Sequence, residues 1–303
     1  MPVLYKNTKD CLKIGLFFLA SYLLPQRWWT GISRVLASIE LRVNPVRTHT
    51  KIVKLVEANG ERMDVVQARE VLLRHAGGVY REQMEVVANI FGQRWQPNIR
   101  IIGLHHITTA LQCGKGVILW EGHFTHSALV TKMALAQQGV DLHHVSSRLH
   151  GFSMTPFGVR YLNPLRVRSE ARYLAERIEI DHENPSPGAS LRLISLLRKN
   201  KVLSIRAVRA PSDMAEVDFF HRKIRLPKGP VTLSMLTGAT LLSLFTIRTG
   251  EDCFEVHIAD GLLPETGKPQ DDVEIATIRR FAERNESFAR RFPHLWRGWH
   301  QIN

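Results

Sequence analysis

The segment LWEGHFTHSAL, residues 119–129, contains the side chains best suited to chemistry. His123 follows an apolar run and a glycine, and Glu121, Thr125 and His126 lie within three residues of it. An imidazole at such a position can act as a general base, because its ordinary pKa lies near neutral pH. Side chains two residues apart on a strand point the same way, so Glu121 could lie beside His123 if the chain stays extended through the intervening glycine.

His123 needs a strand to position it. The apolar residues 117–120 predict a buried strand, and the residues after His126 predict a helix. Gly122 allows a sharp exit from the strand, which places His123 at the carboxyl end of a sheet, where open α/β proteins bind ligands. The alternative is a loop histidine that only donates a hydrogen bond to a backbone carbonyl.

The rest of the chain alternates between strands and helices. Residues 30–95 have helical periodicity, and residues 274–292 predict an amphipathic helix. Short apolar runs follow the first helical region at residues 117–120, 142–146, 202–205, 239–247 and 254–258. This order predicts an α/β fold with a central, mostly parallel or mixed sheet flanked by helices. We expect a helical, membrane-associating part over residues 1–95 and one continuous α/β part over residues 96–303.

The charge of the chain points to an anionic partner. Lys and Arg number 41 against 28 Asp and Glu, which gives a formal net charge of +13. Such an excess suits phosphate groups, either in nucleic acid or in anionic lipid. No zinc-finger spacing, helix-turn-helix phrase or aromatic-basic RNA motif is present, so we do not expect nucleic-acid binding. The three separated cysteines give no zinc or redox pair and favour a reducing, cytoplasmic compartment.

The amino-terminal segment has the composition of an interfacial helix. Its apolar run, residues 14–24, is shorter than the roughly 20 residues needed to cross a bilayer, and Pro25 ends it. Lysines precede the run, and Arg27, Trp28 and Trp29 follow it. This pattern predicts either a helix at the headgroup boundary of a membrane or an ordinary core helix that ends at the proline.

Three longer segments carry a family resemblance. They are GKGVILWEGHF, VDFFHRKIRLPKGPVTLSMLTGATLLSLFTIR and IRRFAERNESFARRFPHLWRGWH. Over roughly residues 100–300 the chain resembles the lipid A biosynthesis lauroyl/myristoyl acyltransferase family. That family is a branch of the glycerolipid acyltransferase superfamily, which is marked by His, four residues, then Asp or Glu.

The resemblance implies an enzyme, an acyltransferase. Such enzymes move a fatty acyl group from an acyl carrier protein or coenzyme A thioester to a hydroxyl or amine of a lipid or small-molecule acceptor. The resemblance makes His123 the general base and implies neither a metal nor a cofactor. It also implies a peripheral or monotopic protein at the cytoplasmic face of a bacterial inner membrane, in contact with an anionic membrane surface.

The chain departs from the family pattern at the acid. Ala128 occupies that position, and LSIRAVRAPSD stands where the family has Leu-Pro-Asp-Gln. Both departures argue against lipid A itself as the substrate. Three explanations are open: a rewired site that uses Glu121 or His126, a deliberate substitution of a natural acid, or a catalytically degenerate fold that binds membranes or carrier proteins.

Arginines downstream of His123 are candidates for phosphate recognition, because the guanidinium fork matches phosphate oxygens. They are Arg148, Arg160, Arg166, Arg168 and Arg172. Arg148 best matches the arginine that the family places after the strand following its histidine motif, and we also expect substrate contacts from Thr125, His126 and Arg168. The remaining histidines lack a metal-ligand spacing, so no metal site is predicted.

Overall fold

The computed structural model describes residues 3–91, 95–147, 149–181, 187–207, 213–262 and 270–302. Its helices are α1 (Val3–Leu23), α2 (Gln26–Val43), α3 (Pro45–Asn59), α4 (Val65–Ile90), α5 (Leu104–Gln112), α6 (Ser127–Gln137), α7 (Pro156–Tyr161), α8 (Asn163–Ala171), α9 (Pro187–Arg198), α10 (Gly229–Thr237) and α11 (Gln270–Arg291). Its strands are β1 (Asn98–Ile102), β2 (Val117–Glu121), β3 (Leu142–Ser147), β4 (Glu176–Ile180), β5 (Val202–Arg206), β6 (Met214–Phe219), β7 (Arg222–Pro227), β8 (Thr240–Arg248) and β9 (Cys253–Gly261).

Seven of these strands form one sheet in the order β1-β9-β8-β2-β5-β3-β4. Neighbouring strands are parallel except for the antiparallel pair β8 and β9. Strands β6 and β7 form a separate antiparallel hairpin. The predicted fold class, a mostly parallel sheet flanked by helices, is confirmed, and β2 lies in the middle of the sheet.

Helices cover both faces of β2. All five of its residues are buried, as expected for a parallel strand inside an α/β sheet. Ile118 and Trp120 belong to the apolar cluster on the α11 side, where the Trp120 ring stacks on Phe281 with centroids 3.9 Å apart. Val117 and Leu119 belong to the cluster on the α6 side. Packing on both faces fixes the point at which β2 ends.

The five apolar runs of the sequence form β2, β3, β5, β8 and β9, whereas three elements were not predicted. Strands β1 and β4 have the sequences NIRII and ERIEI, in which apolar residues alternate with polar ones over a segment too short to mark a strand by pattern alone. The β6–β7 hairpin was also not predicted. The turn-forming residues DHENPSPGAS, 181–190, predict a loop. This prediction needs correction at its end, because α9 already begins at Pro187, a residue that suits the first helical turn; residues 182–186 lie outside the described ranges.

Helix α1 ends at Leu23, two residues before Pro25, as the sequence predicts. Phe17 and Ala20 on one of its faces are buried in the core. Its opposite face exposes half or more of four leucine side chains, Leu12, Leu16, Leu19 and Leu23. The helix is therefore apolar on both sides, one of which packs against the protein while the other faces outward.

The two tryptophans after α1 have different surroundings. Trp29 is buried and its Nε1 donates a hydrogen bond to the Leu24 carbonyl over 3.1 Å, whereas Trp28 is 55% exposed. Of these two tryptophans, only Trp28 is therefore exposed enough to contact a membrane surface. Among the described residues, no helix has the length and apolar character required to cross a membrane.

Candidate active site

The chain leaves β2 through Gly122. The Gly122 backbone N–H donates to the Leu244 carbonyl of β8 over 2.8 Å, one residue beyond the end of the strand. A Cβ atom at this position would lie 2.6 Å from Cδ1 of Phe245, which is closer than atoms can approach. A glycine is therefore required here by space, and the chain that follows delivers His123 to the carboxyl edge of the sheet.

The carboxyl-terminal segment holds the His123 loop from the other side. The Arg297 N–H donates to the His123 carbonyl over 2.8 Å, and the Thr125 N–H donates to the Leu295 carbonyl over 2.7 Å. Phe124 and Trp296 form an isolated antiparallel bridge between these contacts. Residues separated by about half of the chain thus form one small sheet-like unit, which fixes the backbone on both sides of His123.

His123 lines a cavity of about 220 Å³. Ala128, the second residue of α6, lines the same cavity and is 4% exposed. The structure therefore brings the predicted base and the position of the family's acid to one space, as the family spacing implies. A methyl group cannot accept a hydrogen bond, so Ala128 cannot orient the imidazole as the family's acid would.

Glu82 of α4 contributes a carboxylate to this cavity. Its two oxygens accept hydrogen bonds from Arg297 Nη1 over 3.0 Å and from Arg166 Nη2 over 3.3 Å. Burial alone would raise the pKa of Glu82, but these two guanidinium groups lower it to about 2. Glu82 is therefore ionised, and it was not predicted from the sequence.

A second histidine in the cavity already has an acid partner. His150 Nε2 lies 2.8 Å from Oε1 of the buried Glu170, which also pairs with Lys132 and with Arg166. Burial lowers the pKa of His150 to about 4, against the opposing effect of Glu170. A histidine hydrogen-bonded to a carboxylate is the usual arrangement of a general base, and this pair was also missed at the level of sequence.

Arg206, the last residue of β5, places a cation in the same cavity. Its Nε and Nη2 atoms are buried and have no hydrogen-bond partner among the described residues. Glu121 lies next to it in register, with 3.8 Å between Glu121 Oε2 and Arg206 Nε. Buried guanidinium N–H groups without acceptors are costly, so these atoms are suited to receive a ligand oxygen.

Glu121, the candidate rewired partner of His123, lies beside two other charged or polar side chains, His144 and Arg206. Its strand ends at Glu121 itself, and its carboxylate lies 3.8 Å from His144 Nδ1 and 3.8 Å from Arg206 Nε. The side chain is completely buried, and burial raises its pKa. The strand on which the two-residue argument depends ends at Glu121, and a catalytic role for Glu121 stays a prediction.

His126 is directed into another part of the molecule. It has a left-handed backbone, with φ of 70°, and its Nε2 accepts a hydrogen bond from Arg248 Nη1 over 2.9 Å. Burial, followed by the charge of Arg248, lowers the pKa of His126 to about 3. The ring lines a separate cavity of about 520 Å³ between α2, α4 and the end of β8. Thr125, which lies between His123 and His126 in the loop, is fully buried.

The predicted arginine anchors are only partly described. Arg148 lies outside the described residues, and Arg168 is exposed on α8. Arg166, two residues earlier on the same helix, is buried and lines the His123 cavity. Within the described ranges, no group of three or more His, Cys, Asp or Glu side chains is arranged to hold a metal ion.

Comparison with known proteins identifies the family. The family model of the bacterial lipid A biosynthesis acyltransferases matches residues 60–301. The crystal structure of the 1-acyl-sn-glycerophosphate (LPA) acyltransferase from Thermotoga maritima is similar over 85% of this chain and 97% of that chain, with 12% sequence identity and a TM-score of 0.37. A search of curated proteins finds no match. Because the family match covers most of the chain, including the His123 cavity, this protein is an acyltransferase that belongs to the bacterial lipid A biosynthesis acyltransferase family.

Proposed function

We propose that the protein transfers a fatty acyl group from an acyl carrier protein or coenzyme A thioester to a hydroxyl or amine of a lipid or small-molecule acceptor, with His123 as general base. The observation that carries this proposal is the shared cavity of His123, Ala128 and Arg206 at the carboxyl end of the central strand. A base, and a guanidinium whose Nε and Nη2 atoms have no hydrogen-bond partner among the described residues, are suited in one enclosed space to attack on a thioester carbonyl.

The reaction can be assigned to these side chains. His123 accepts the proton of the acceptor hydroxyl while its oxygen attacks the thioester carbonyl, and negative charge develops on the carbonyl oxygen. The free N–H groups of Arg206 stabilise that oxyanion. Collapse of the intermediate breaks the carbon–sulfur bond, and the imidazolium returns the proton to the departing thiolate. The proposed steps use no metal, no cofactor and no covalent enzyme intermediate.

The orienting acid has two candidates in place of Ala128. Glu82 is ionised and lines the cavity of His123, although both of its oxygens already accept from arginines. Glu170 reaches the cavity through its hydrogen bond to His150, which would make His150 the base in a rewired site. We assign the base to His123 because its position matches the family pattern, and mutation of each histidine distinguishes the two arrangements.

The outward faces of the first two helices support a membrane-associated enzyme. The exposed leucines of α1 are joined on α2 by a second exposed apolar row, namely Trp28, Val35, Ile39 and Val43. Exposed apolar surface of this extent is typical of an interaction site, and the net charge of +13 favours an anionic bilayer. We propose that these helices lie in the interface at the cytoplasmic face of a bacterial inner membrane.

Ala128 supports one competing function, a degenerate acyltransferase fold that binds membranes or carrier proteins without turnover. Acyl transfer from a labelled acyl carrier protein, with membrane extract as the acceptor pool, separates the two functions. The unmodified chain is compared with His123→Ala, His150→Ala and Ala128→Asp, and exposed His49→Ala is the control.

We expect the unmodified chain and the control to be active and His123→Ala to lose about 100-fold or more in rate. Loss in His150→Ala alone would transfer the role of base to His150. Activity in Ala128→Asp alone would identify an enzyme inactivated by the missing acid. Silence of all proteins with a loaded donor and an adequate acceptor pool would refute transfer and favour the binding protein.

A further inference from the structure

A second cavity, of about 370 Å³, lies between α3, α4 and the carboxyl-terminal segment. Arg47, Lys51 and Lys54 of α3 line it together with Arg297, whereas its lining contains no Asp or Glu. The described residues form no ion pair with any of the three α3 cations, so their charge is available to a ligand. This basic pocket is separate from the cavity that contains His123.

The spacing of these cations is unfavourable for the stability of α3 by itself. They occupy positions i, i+4 and i+7 of α3, so three like charges follow one face of the helix and repel one another. Arg47 is the third residue of α3, where a cation also opposes the helix dipole, and the first turn contains no acid. Both penalties are removed by an anion bound beside the first turns of the helix.

The charge of the pocket already affects its ionisable neighbours. Burial, and then the charge of Arg47, lowers the pKa of Lys51 against the opposing effect of Glu40. Burial, followed by Arg297, lowers the pKa of His75 in the pocket wall to about 4. A positive potential therefore remains inside the pocket, and an anion would reduce it.

The floor of the pocket is apolar. Leu55, Leu72 and Trp299 line it beneath the cations. All three belong to one small apolar cluster between α3, α4 and the carboxyl-terminal segment. A ligand that matches both parts has an anionic head and a neighbouring apolar portion.

Arg297 joins the basic pocket to the candidate active site. It lines both cavities, its side chain pairs with Glu82, and its backbone N–H donates to the His123 carbonyl. The basic pocket and the His123 cavity therefore share one wall residue, Arg297.

We propose that the basic pocket binds the phosphate group of a substrate of this acyltransferase, with Arg47, Lys51 and Lys54 contacting the phosphate and Trp299 contacting the adjoining apolar portion. The phosphate belongs either to the thioester donor or to a phospholipid-type acceptor. The identity of the ligand as a substrate rests on the proposed function, whereas the pocket itself can be tested by binding alone.

Titration calorimetry at low ionic strength tests the pocket, with monomeric dodecyl phosphate as the anionic probe and dodecyl maltoside as the neutral one. Lys54→Gln and Lys51→Gln are compared with Lys199→Gln, an exposed lysine after α9 whose loss changes the net charge equally. We expect each pocket variant to weaken dodecyl phosphate binding about tenfold, because each removes one charged contact. Lys199→Gln should change binding less than about twofold.

Equal affinities of wild type, Lys54→Gln and Lys51→Gln for dodecyl phosphate would overturn the proposal. The proposal would also be overturned if Lys199→Gln weakened dodecyl phosphate binding as much as the pocket variants do. Lys51→Arg, which keeps the charge, should retain binding and shows that any loss in Lys51→Gln is not a folding defect. Preservation of dodecyl maltoside binding in the variants would show that the apolar floor is intact.

Competition identifies the source of the phosphate. Displacement of dodecyl phosphate by coenzyme A assigns the pocket to the donor, and displacement by a lysophospholipid alone assigns it to the acceptor. Displacement by neither overturns the assignment to a substrate. Acyl transfer is measured separately: charge-dependent binding without transfer by any variant would refute the proposed function and leave the pocket, whereas transfer with charge-independent binding would refute the pocket alone.

Discussion

The acid sensitivity of folding gives a quantitative test of the buried contact between His126 and Arg248. The side chain is 1% exposed, and its Nε2 accepts a hydrogen bond from Arg248, a group that can only donate. Burial, followed by the charge of Arg248, lowers the folded pKa of the ring to about 3. On unfolding, the ring returns to an ordinary pKa of about 6.5.

The sign of the effect follows from these two pKa values. The folded pKa is lower than the unfolded one, so the stability that His126 contributes is complete above pH 6.5 and is lost as the pH falls toward 3. At pH 5 the unfolded state has gained most of a proton and the folded state has gained almost none. Since pH 5 is about 1.5 units below the unfolded pKa, the loss from this ring is about 2 kcal/mol.

Chemical denaturation at pH 7 and pH 5 measures this loss. His126→Asn removes the titrating ring and keeps a residue type that tolerates the left-handed backbone. The free energy of unfolding of the variant should fall by about 2 kcal/mol less than that of wild type between the two pH values. His49→Asn is the control, because exposed His49 has similar surroundings in both states. An equal fall in unfolding free energy in wild type and His126→Asn would show that the ring is charged or solvated in the folded protein. It would refute the buried, neutral state of His126 beside Arg248.

Three further substitutions have defined outcomes. Gly122→Ala forces a Cβ against Phe245 and should lower the unfolding free energy by about 1–3 kcal/mol in denaturant titration, together with acyl transfer; unchanged stability would contradict the close packing. Arg206→Gln should lower kcat by about 100-fold, and an unaltered kcat would remove its role at the oxyanion. Lys132→Met removes one of the cations that pair with the buried Glu170 carboxylate and should lower the unfolding free energy by about 3 kcal/mol. A stabilised variant would show that the cost of desolvating the two charges outweighs their attraction.

The central sheet could be predicted because its strands are continuous apolar runs. Residues 117–120 are apolar without interruption, which is the pattern of a strand covered on both faces, and β2 is such a strand. Strands β1 and β4 carry polar residues at alternating or terminal positions and lie at the edges of the sheet, so a hydrophobicity pattern does not distinguish them from loops.

The candidate site could be predicted only where it depends on local sequence. His123 and the position of Ala128 follow from one continuous segment, and both line the cavity. Glu82 and Glu170 come from α4 and α8, and only the packing of these helices brings them to that cavity. A signal for Glu82 was nevertheless present, because it lies three residues after Val79 and four before Val86, at a position where the helical pattern calls for an apolar residue.

The hydrogen bonds between the His123 loop and residues 295–297 also determine when the site can form during synthesis. Thr125 and His123 leave the ribosome long before Leu295 and Arg297, which complete the loop geometry. The sheet can begin to fold on the emerging chain, but the loop next to β2 lacks these hydrogen bonds until residues 295–297 have left the ribosome. The loop that carries His123 would therefore take its final geometry only after residues 295–297 have been synthesised.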